Sequence, residues 1–237
     1  MTTHQFRAGA LGLFFLASGC ADETVEVTGL AFAFALPGME YGRITGGALS
    51  VLEDPTVTGT TEADGTFRLV GLRPGTEATF VLRADGYPAS STRTFTLPAR
   101  GALERVTFQI PSDGIYGALA DLLMHEPDPT RCQLVTTITR VGRSLFDEGA
   151  HGEEGATATL DPADGAARGP IYFGSDVIPD PSRTESSDDG GVLWLDVRPG
   201  RYVLRAHEAG VTFEEVHVDC RAGILVNASP PYGLQAL

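Results

Sequence analysis

The chain carries one pattern twice, as Asp64-Gly65-Thr66-Phe67-Arg68-Leu69-Val70-Gly71-Leu72-Arg73-Pro74-Gly75 and as Asp189-Gly190-Gly191-Val192-Leu193-Trp194-Leu195-Asp196-Val197-Arg198-Pro199-Gly200. In both copies apolar residues recur at matching positions between an opening Asp-Gly and a closing Arg-Pro-Gly, and Thr66 to Leu69 alternates polar and apolar residues. Such alternation predicts a strand with one buried face. Asp-Gly and Pro-Gly are typical of tight turns, because glycine adopts a positive φ without steric cost. The constant spacing predicts one β unit used twice.

The similarity continues downstream of both copies. Val81-Leu82-Arg83-Ala84 is matched by Val203-Leu204-Arg205-Ala206, and Arg100-Gly101-Ala102-Leu103 by Arg221-Ala222-Gly223-Ile224. Further strands are expected at 79–84 and 202–206, and short ones at 156–160 and 171–173 within the loop-rich stretch 142–191. Upstream, bulky residues alternate with alanines, which we interpret as a packed strand; the bulky residues are Leu30, Phe32, Phe34 and Leu36.

Two more motifs flank the first copy, namely Gly42-Arg43-Ile44-Thr45-Gly46-Gly47-Ala48 and Ala84-Asp85-Gly86-Tyr87. With Thr61 and the first copy, they resemble a carboxypeptidase regulatory-like domain over residues 25–111. Residues 130–237 match more loosely, through Thr184, Asp189-Gly190 and Pro199-Gly200. The resemblance implies an all-β fold with two tandem immunoglobulin/prealbumin-like β-sandwich domains. It implies little about function, because a fold serves many functions.

A helical connector is expected between the two domains, at residues 112–129. Ser112 or Asp113 can cap a helix. One apolar face follows at helical spacing, formed by Ile115, Leu119, Leu122 and Leu123,. Pro127 is expected to end the helix. The apolar run Val192-Leu193-Trp194-Leu195 suits a strand covered on both faces, by the connector or by the other domain.

The N-terminus has the layout of a secretory signal over residues 1–19. The run Leu16-Ala17-Ser18-Gly19-Cys20 resembles the lipobox of bacterial lipoproteins. The resemblance implies cleavage before Cys20, lipid on its sulfur and a short tether at 20–24. An ordinary signal peptide is the alternative. We therefore expect a lipid-anchored protein of the bacterial cell envelope, and Ala21 favours the outer membrane.

The cysteines and the charged residues restrict the functions that the chain can have. Cys132 and Cys220 are an even pair in an oxidising compartment, which predicts a disulfide. The chain has 17 basic residues, all of them Arg, against 31 acidic ones, for a net charge of −14. Such acidity disfavours nucleic acid as a partner. Without lysine, a Schiff base, a Walker-type lysine and a Lys–Asn isopeptide bond are excluded.

The sequence predicts no catalytic residues, no cofactor and no metal site. His151-x-x-Glu154 copies the zinc spacing of metallocarboxypeptidases, but the room for their catalytic domain is lacking. The Tyr-Arg-Gly-Ser ending of hydroxyisourate hydrolases is absent after Tyr232. His207 and His217 are interpreted as surface or cross-strand residues. Calcium binding by the acidic loops 161–165 and 188–190 stays an open alternative, although Asp-Gly more often simply forms a turn.

A non-enzymatic structural or binding module is therefore the expected function, with an envelope protein or a glycan as partner. A polysaccharide or peptidoglycan binder would need exposed aromatic rings, for which Trp194, Tyr172 and Phe173 are the candidates. Trp194 aligns with Leu69 of the first unit, which favours burial instead. A hydrolase with an unrecognised site is the remote alternative.

Overall fold

The computed structural model describes residues 24–36, 38–144, 146–147 and 149–237. The expected signal segment 1–19 and the lipid-bearing Cys20 lie outside the described residues. No helix within these ranges is both long and apolar enough to cross a membrane. The described chain is all-β apart from one short helix, which confirms the expected fold class.

The described residues of the N-terminal half form seven strands: β1 (Val25–Phe34), β2 (Ala48–Val51), β3 (Thr58–Thr60), β4 (Thr66–Leu72), β5 (Glu77–Arg83), β6 (Ser90–Thr96) and β7 (Ala102–Pro111). One sheet has the order β4-β1-β7, in which β1 is antiparallel to β4 and parallel to β7. It packs against β6-β5-β2-β3, and the two sheets share one hydrophobic core. This arrangement is a β-sandwich.

Small residues of β1 face this core. Gly29 and Ala31 leave room for two large rings, Phe67 from β4 and Phe108 from β7, whose centroids are 5.8 Å apart. The bulky residues Leu30, Phe32 and Phe34 therefore lie on the outer face of the sheet. The alternation noted in the sequence is real, but its bulky side does not face the sandwich core.

In the part of the C-terminal half that the structure describes there are nine strands: β8 (Cys132–Thr139), β9 (Thr157–Asp161), β10 (Arg168–Phe173), β11 (Pro179–Asp180), β12 (Gly191–Val197), β13 (Gly200–His207), β14 (Val216–Cys220), β15 (Leu225–Asn227) and β16 (Leu234–Gln235). Its two three-stranded layers, β12-β8-β15 and β14-β13-β9, repeat the orders β4-β1-β7 and β6-β5-β2 with the same strand directions. The internal repeat in the sequence thus corresponds to a repeated topology.

The two halves are joined through a continuous sheet. β15 pairs in parallel with both β8 and β6, which links the strands into the order β11-β10-β12-β8-β15-β6-β5-β2-β3, and β16 pairs with β8. Val81 of β5 belongs to the C-terminal core, while its neighbours Phe80 and Leu82 belong to the N-terminal one. The halves therefore share backbone hydrogen bonds and side-chain packing. The domain limits 25–111 and 130–237 stay a prediction.

Cys132 and Cys220 form the predicted disulfide. Their Cα atoms are 5.8 Å apart. Cys132 begins β8 and Cys220 ends β14, so the bond connects the two layers of the C-terminal sandwich.

A single described helix, α1 (Asp113–Leu122), follows β7. The Ser112 Oγ accepts a hydrogen bond from the Ile115 N–H, as the capping residues predicted. The helix ends well before Pro127, because Met124 adopts a left-handed φ of 48°. Met124 N–H donates to the Asp121 carbonyl and His125 N–H to the Ala120 carbonyl, which is a Schellman motif without its usual glycine,.

Candidate binding cleft between the two sandwiches

A cleft of about 700 Å³ lies between the outer face of β1, the helix α1 and the face of β8 and β12 that points away from the C-terminal core. Its apolar lining comes from all three walls: Leu30, Phe32, Phe34, Tyr116, Leu119, Ala120, Leu123, Val135, Phe173, Leu193, Leu195 and Leu225. The cleft follows β8 from Gln133 to Thr137, a distance of about 13 Å at the rise of a strand,.

The floor of the cleft is a separate hydrophobic cluster. Leu193 and Leu195 of β12 pack there with Ile171, Phe173 and Leu123, the C-cap residue of α1. Their neighbours on β12, Val192 and Trp194, lie in the C-terminal core instead. The expectation that residues 192–195 are covered on both faces is confirmed, with α1 as one cover. Of the predicted helix face, Leu123 is buried, whereas Leu122 is 55% exposed.

Aromatic side chains form one rim of the cleft. The ring of Phe32 contacts Tyr41 edge to face at 5.8 Å and Phe146 at 6.4 Å between centroids. The Arg105 guanidinium lies 5.0 Å from the centre of the Phe146 ring and 6.0 Å from that of Tyr232. Tyr41 and Phe146 are exposed, so this rim presents apolar rings to solvent. We refer to Phe32, Tyr41 and Phe146 as the aromatic rim.

At the Gln133 end, Gln133 and Asp196 are paired, whereas the shielded Nε2 of His125 has no hydrogen-bond partner among the described residues. The Gln133 Nε2 donates to Asp196 Oδ1 at 3.2 Å, and the Asp196 N–H donates back to Gln133 Oε1 at 3.0 Å. The side chain of His125 is 9% exposed, and its Nε2 lies 3.5 Å from the same carboxylate oxygen. Burial, with Asp196 nearby, raises the pKa of Tyr116 to about 12, so that hydroxyl stays neutral at physiological pH.

At the Thr137 end, the turn between β11 and β12 brings Asp188 and Asp189 to the cleft. Two buried serines fix this turn. The Ser186 Oγ donates to the Glu153 carbonyl, and the Ser187 Oγ donates to the Phe173 carbonyl at 2.8 Å. The turn is therefore attached both to the segment before β9 and to β10. We refer to Asp188 and Asp189 as the carboxylate pair.

The carboxylate pair is only partly satisfied. Asp189 Oδ2 accepts from the Gly191 N–H at 3.0 Å. The pKa of Asp189 is raised, chiefly because burial disfavours its charged form; the carboxylates of Asp188 and Asp176 add to this, while Gly191 and His151 act against it. Asp188 Oδ1 is shielded from solvent and has no hydrogen-bond partner among the described residues. A shielded oxygen without a partner destabilises the fold.

The aromatic candidates from the sequence do not form a common surface. Trp194 and Tyr172 are 3% and 2% exposed and lie in the C-terminal core, where the Tyr172 hydroxyl accepts from the Ala158 N–H at 2.9 Å. Neither offers a ring face to a ligand: the exposure that a glycan platform needs is absent in both, and the burial that the alignment with Leu69 favoured for Trp194 is confirmed. Phe173 lines the cleft and packs over Gly191, and its role in ligand binding stays a prediction.

The other candidate groups lie apart. His207 Nε2 is 3.1 Å from the Thr159 hydroxyl on an exposed sheet face, and His217 is exposed on β14. His151 lines the cleft near Asp189. Among the described residues, no group of three or more His, Cys, Asp or Glu side chains is placed to hold a metal ion. In the loop 161–165, Asp164 accepts hydrogen bonds from the Arg198 and Ala166 N–H groups instead.

Sequence reasoning missed most of the cleft. The bulky face of β1 was visible, but alternation alone does not say which side faces the core. His125 and Gln133 belong to no local sequence motif. They meet only through Asp196, which lies in a bulge of β12 and has a φ of 54°,. The carboxylate pair did have a signal, since the run Asp188-Asp189-Gly190 indicated an acidic turn. Nothing in that run indicated that a cavity lies beside the turn.

Comparison with known proteins adds only remote likenesses. No protein family matches the chain, and no curated protein shows a significant match. Among solved structures, the Bacillus anthracis TIE protein is similar at 12% identity and a TM-score of 0.29, over 91% of this chain and 34% of that one. GBS52, the minor pilin of Streptococcus agalactiae, is similar at 12% identity and a TM-score of 0.28, over 90% and 95%. The chain thus spans about a third of the TIE protein.

The shaft pilin SpaA from Lactobacillus rhamnosus GG is a further likeness. It is 11% identical with a TM-score of 0.26, over 90% of this chain and 97% of that one. TM-scores this low do not establish a shared fold, and identities this low do not establish a shared function. The architecture therefore rests on the strand pairing described above.

Proposed function

We propose that this protein is a non-enzymatic binding module whose ligand site is the cleft between its two sandwiches. The observation that supports this most is the cleft itself, which has about 700 Å³ of space and predominantly aliphatic and aromatic walls. Small-molecule sites are typically clefts of roughly 300–1,000 Å³, mostly apolar, with a few polar groups that fix orientation.

The supports of the cleft favour a preformed site. Its floor belongs to the continuous sheet, and Leu123 of the helical connector packs onto that floor. The Arg168 guanidinium donates to the Leu123 carbonyl at 2.8 Å, which ties the end of the helix to β10. A site held by strands and a capped helix needs little ordering when a ligand binds, and affinity benefits from that.

The positions of the candidate catalytic groups also favour binding over catalysis. Thr159 and His207, a hydroxyl and an imidazole within contact distance, lie on an open sheet face. A nucleophile needs a base together with donors for the developing charge, in a site that excludes water. The polysaccharide alternative retains Phe173 alone of its three candidates inside the cleft, so we do not propose it as a second function.

A lipid anchor at Cys20 is part of the proposal. It rests on the lipobox-like run 16–20 and on the disulfide, which occupies the other two cysteines of the chain. Replacing Cys20 by Ser is expected to move the protein from the membrane fraction to the soluble envelope fraction while the disulfide still forms. Equal membrane retention of the variant would contradict the anchor, and separation of inner from outer membranes tests the expected outer-membrane location.

The binding site is tested with an uncharged apolar dye, N-phenyl-1-naphthylamine, and a matched pair of helix variants. Ala120 lines the cleft, whereas Ala118 is exposed on the other side of α1. We expect Ala120→Phe to fill the cleft and abolish dye fluorescence enhancement, and Ala118→Phe to leave it unchanged. The proposal fails if the wild type gives no enhancement, or if both variants bind as the wild type does.

A further inference from the structure

Tyr116 contributes a tyrosine hydroxyl to the wall of the cleft. The residue lies near the start of α1, and Ala120, one turn later on the same face of the helix, lines the cleft as well,. The Tyr116 side chain is half-buried and packs against the N-terminal core. Packing therefore holds the ring in place beside the cleft.

The Tyr116 hydroxyl has no hydrogen-bond partner among the described residues. The same is true of Nε2 of His125, but that nitrogen is shielded and cannot reach a ligand, whereas the Tyr116 oxygen keeps accessible surface. The side-chain amide of Gln133, on the same wall, is paired with Asp196. Tyr116 therefore offers the cleft a hydrogen-bond donor that the described part of the chain does not use.

The surroundings of this hydroxyl favour an uncharged acceptor. Burial raises the pKa of Tyr116 to about 12, and the Asp196 carboxylate adds to the rise, so the hydroxyl keeps its proton near neutral pH. A negative charge close enough to act on the hydroxyl also opposes an anionic head group at the same place. An ammonium group has donors only and no lone pair to accept this proton. A neutral oxygen meets neither obstacle.

We propose that the cleft selects uncharged amphiphiles that carry an oxygen acceptor, as a ketone, ester or alcohol does, and that the Tyr116 hydroxyl donates a hydrogen bond to this oxygen. This deepens the proposed function, on which it rests. The apolar body of the ligand lies against Val135 and Leu193, which line the same cleft. A ligand that fills the cleft displaces water from the hydroxyl. A ligand without an acceptor therefore leaves that hydroxyl unpaired, which weakens binding.

The size of the cleft sets the choice of probe. Its length along β8 is about 13 Å, comparable to an extended nine-carbon chain,. 2-Nonanone and nonanoate are therefore suitable probes, because they have chains of equal length and carry a neutral and an anionic oxygen. N-phenyl-1-naphthylamine, which has no oxygen acceptor, reports whether the apolar walls are intact.

The experiment measures displacement of the dye by each probe near neutral pH, from the wild type and from Tyr116→Phe. The variant keeps the ring, and with it the packing, and loses only the hydroxyl. We expect its affinity for 2-nonanone to fall about three- to tenfold, the range of one neutral hydrogen bond, and its affinity for the dye to stay unchanged. Nonanoate is expected to bind the wild type more weakly than 2-nonanone does.

Tyr87→Phe is the matched control, because Tyr87 is also half-buried against the N-terminal core but does not line the cleft. It should keep the wild-type affinity for 2-nonanone. An equal loss in Tyr87→Phe would overturn the role of Tyr116. A parallel loss of dye and ketone affinity in Tyr116→Phe would do so too, since it would show that the hydroxyl supports the walls of the cleft.

Failure of this inference is distinguishable from failure of the proposed function. If Tyr116→Phe binds 2-nonanone as the wild type does, or the ketone does not displace the dye, while Ala120→Phe still abolishes dye binding, the binding module stands and the donor role of Tyr116 is wrong. Nonanoate binding as tightly as 2-nonanone would overturn the preference for an uncharged head. If the wild type does not bind the dye, the proposed function fails, and this inference fails with it.

Discussion

The ring of Phe67 fills the space beside the Gly29 backbone. A Cβ at residue 29 would overlap that ring and the carbonyl oxygen of Val106 on the adjacent strand β7. Since β1 lies between β4 and β7, neither neighbour can move away without disturbing the sheet. The core of the N-terminal sandwich therefore depends on the absence of a side chain at this position.

We expect Gly29→Ala to lower the free energy of unfolding by about 2 kcal/mol or more, because overpacking a filled core forces side chains and backbone to shift. Urea denaturation followed by far-ultraviolet circular dichroism measures this. Gly117→Ala is the control, since Gly117 is exposed in α1 and no heavy atom lies near an added Cβ. Its free energy of unfolding should rise by up to about 1 kcal/mol, because alanine has a higher helix propensity than glycine. A stable Gly29→Ala variant would mean that Phe67 can relocate.

The end of α1 depends on the backbone conformation of Met124. Met124 is 90% exposed and has a left-handed φ of 48°, a conformation that is costly for a residue with a Cβ,. Met124→Gly should raise stability by about 1 kcal/mol, because glycine suits the Schellman motif. Leu122→Gly, two residues earlier within the helix, should instead lower stability by a similar amount. Thermal unfolding of both variants checks the opposite signs, and a destabilised Met124→Gly would contradict the account.

The sequence predicted the repeated unit, the disulfide and the helix cap because each depends on local or paired signals. The turn residues Asp64-Gly65 and Asp189-Gly190 fix where strands begin, and alternation fixes which residues share a face. The cleft could not be predicted in the same way. It depends on the parallel pairing of β15 with β6, which sets one sandwich beside the other, and no short-range pattern in residues 225–227 announces a partner at residues 90–91.

The disulfide is expected to stabilise both sandwiches. Cys132 and Cys220 are 88 residues apart, so the bond removes about 4–5 kcal/mol of chain entropy from the unfolded state in the simplest treatment,. Because β15 pairs with β6 and Val81 enters the C-terminal core, we expect one cooperative transition that reductant shifts as a whole. Urea titrations with and without dithiothreitol measure it.

The Cys132→Ala/Cys220→Ala double variant is the control for that experiment. It should unfold at lower urea than the oxidised wild type, and reductant should not affect it. Fluorescence of Trp194, the single tryptophan of the chain, reports the C-terminal core, and circular dichroism reports both halves. Two separate transitions, with only the one seen by Trp194 shifted by reductant, would show that the halves unfold independently.

The carboxylate pair should leave a signature in the pH dependence of stability. Burial raises the pKa of Asp189 above its ordinary value of 3.8, with Asp188 and Asp176 adding to the rise and His151 and the Gly191 N–H opposing it. The native state then binds a proton more tightly than the unfolded state does. Ionisation of Asp189 therefore lowers stability as pH rises from about 3.8 through the raised native pKa,.

Asp189→Asn keeps an oxygen for the Gly191 N–H and removes the charge. We expect the variant to match the wild type at low pH and to be more stable at neutral pH. Asp64→Asn is the control of opposite sign, because hydrogen bonds from Thr66 lower the pKa of Asp64 and stabilise its charged form. That variant should be less stable at neutral pH, and the deficit should vanish as pH falls through the lowered pKa. Urea midpoints between about pH 2 and 8 measure both. A neutral-pH loss in Asp189→Asn would show that the Asp189 charge stabilises the fold.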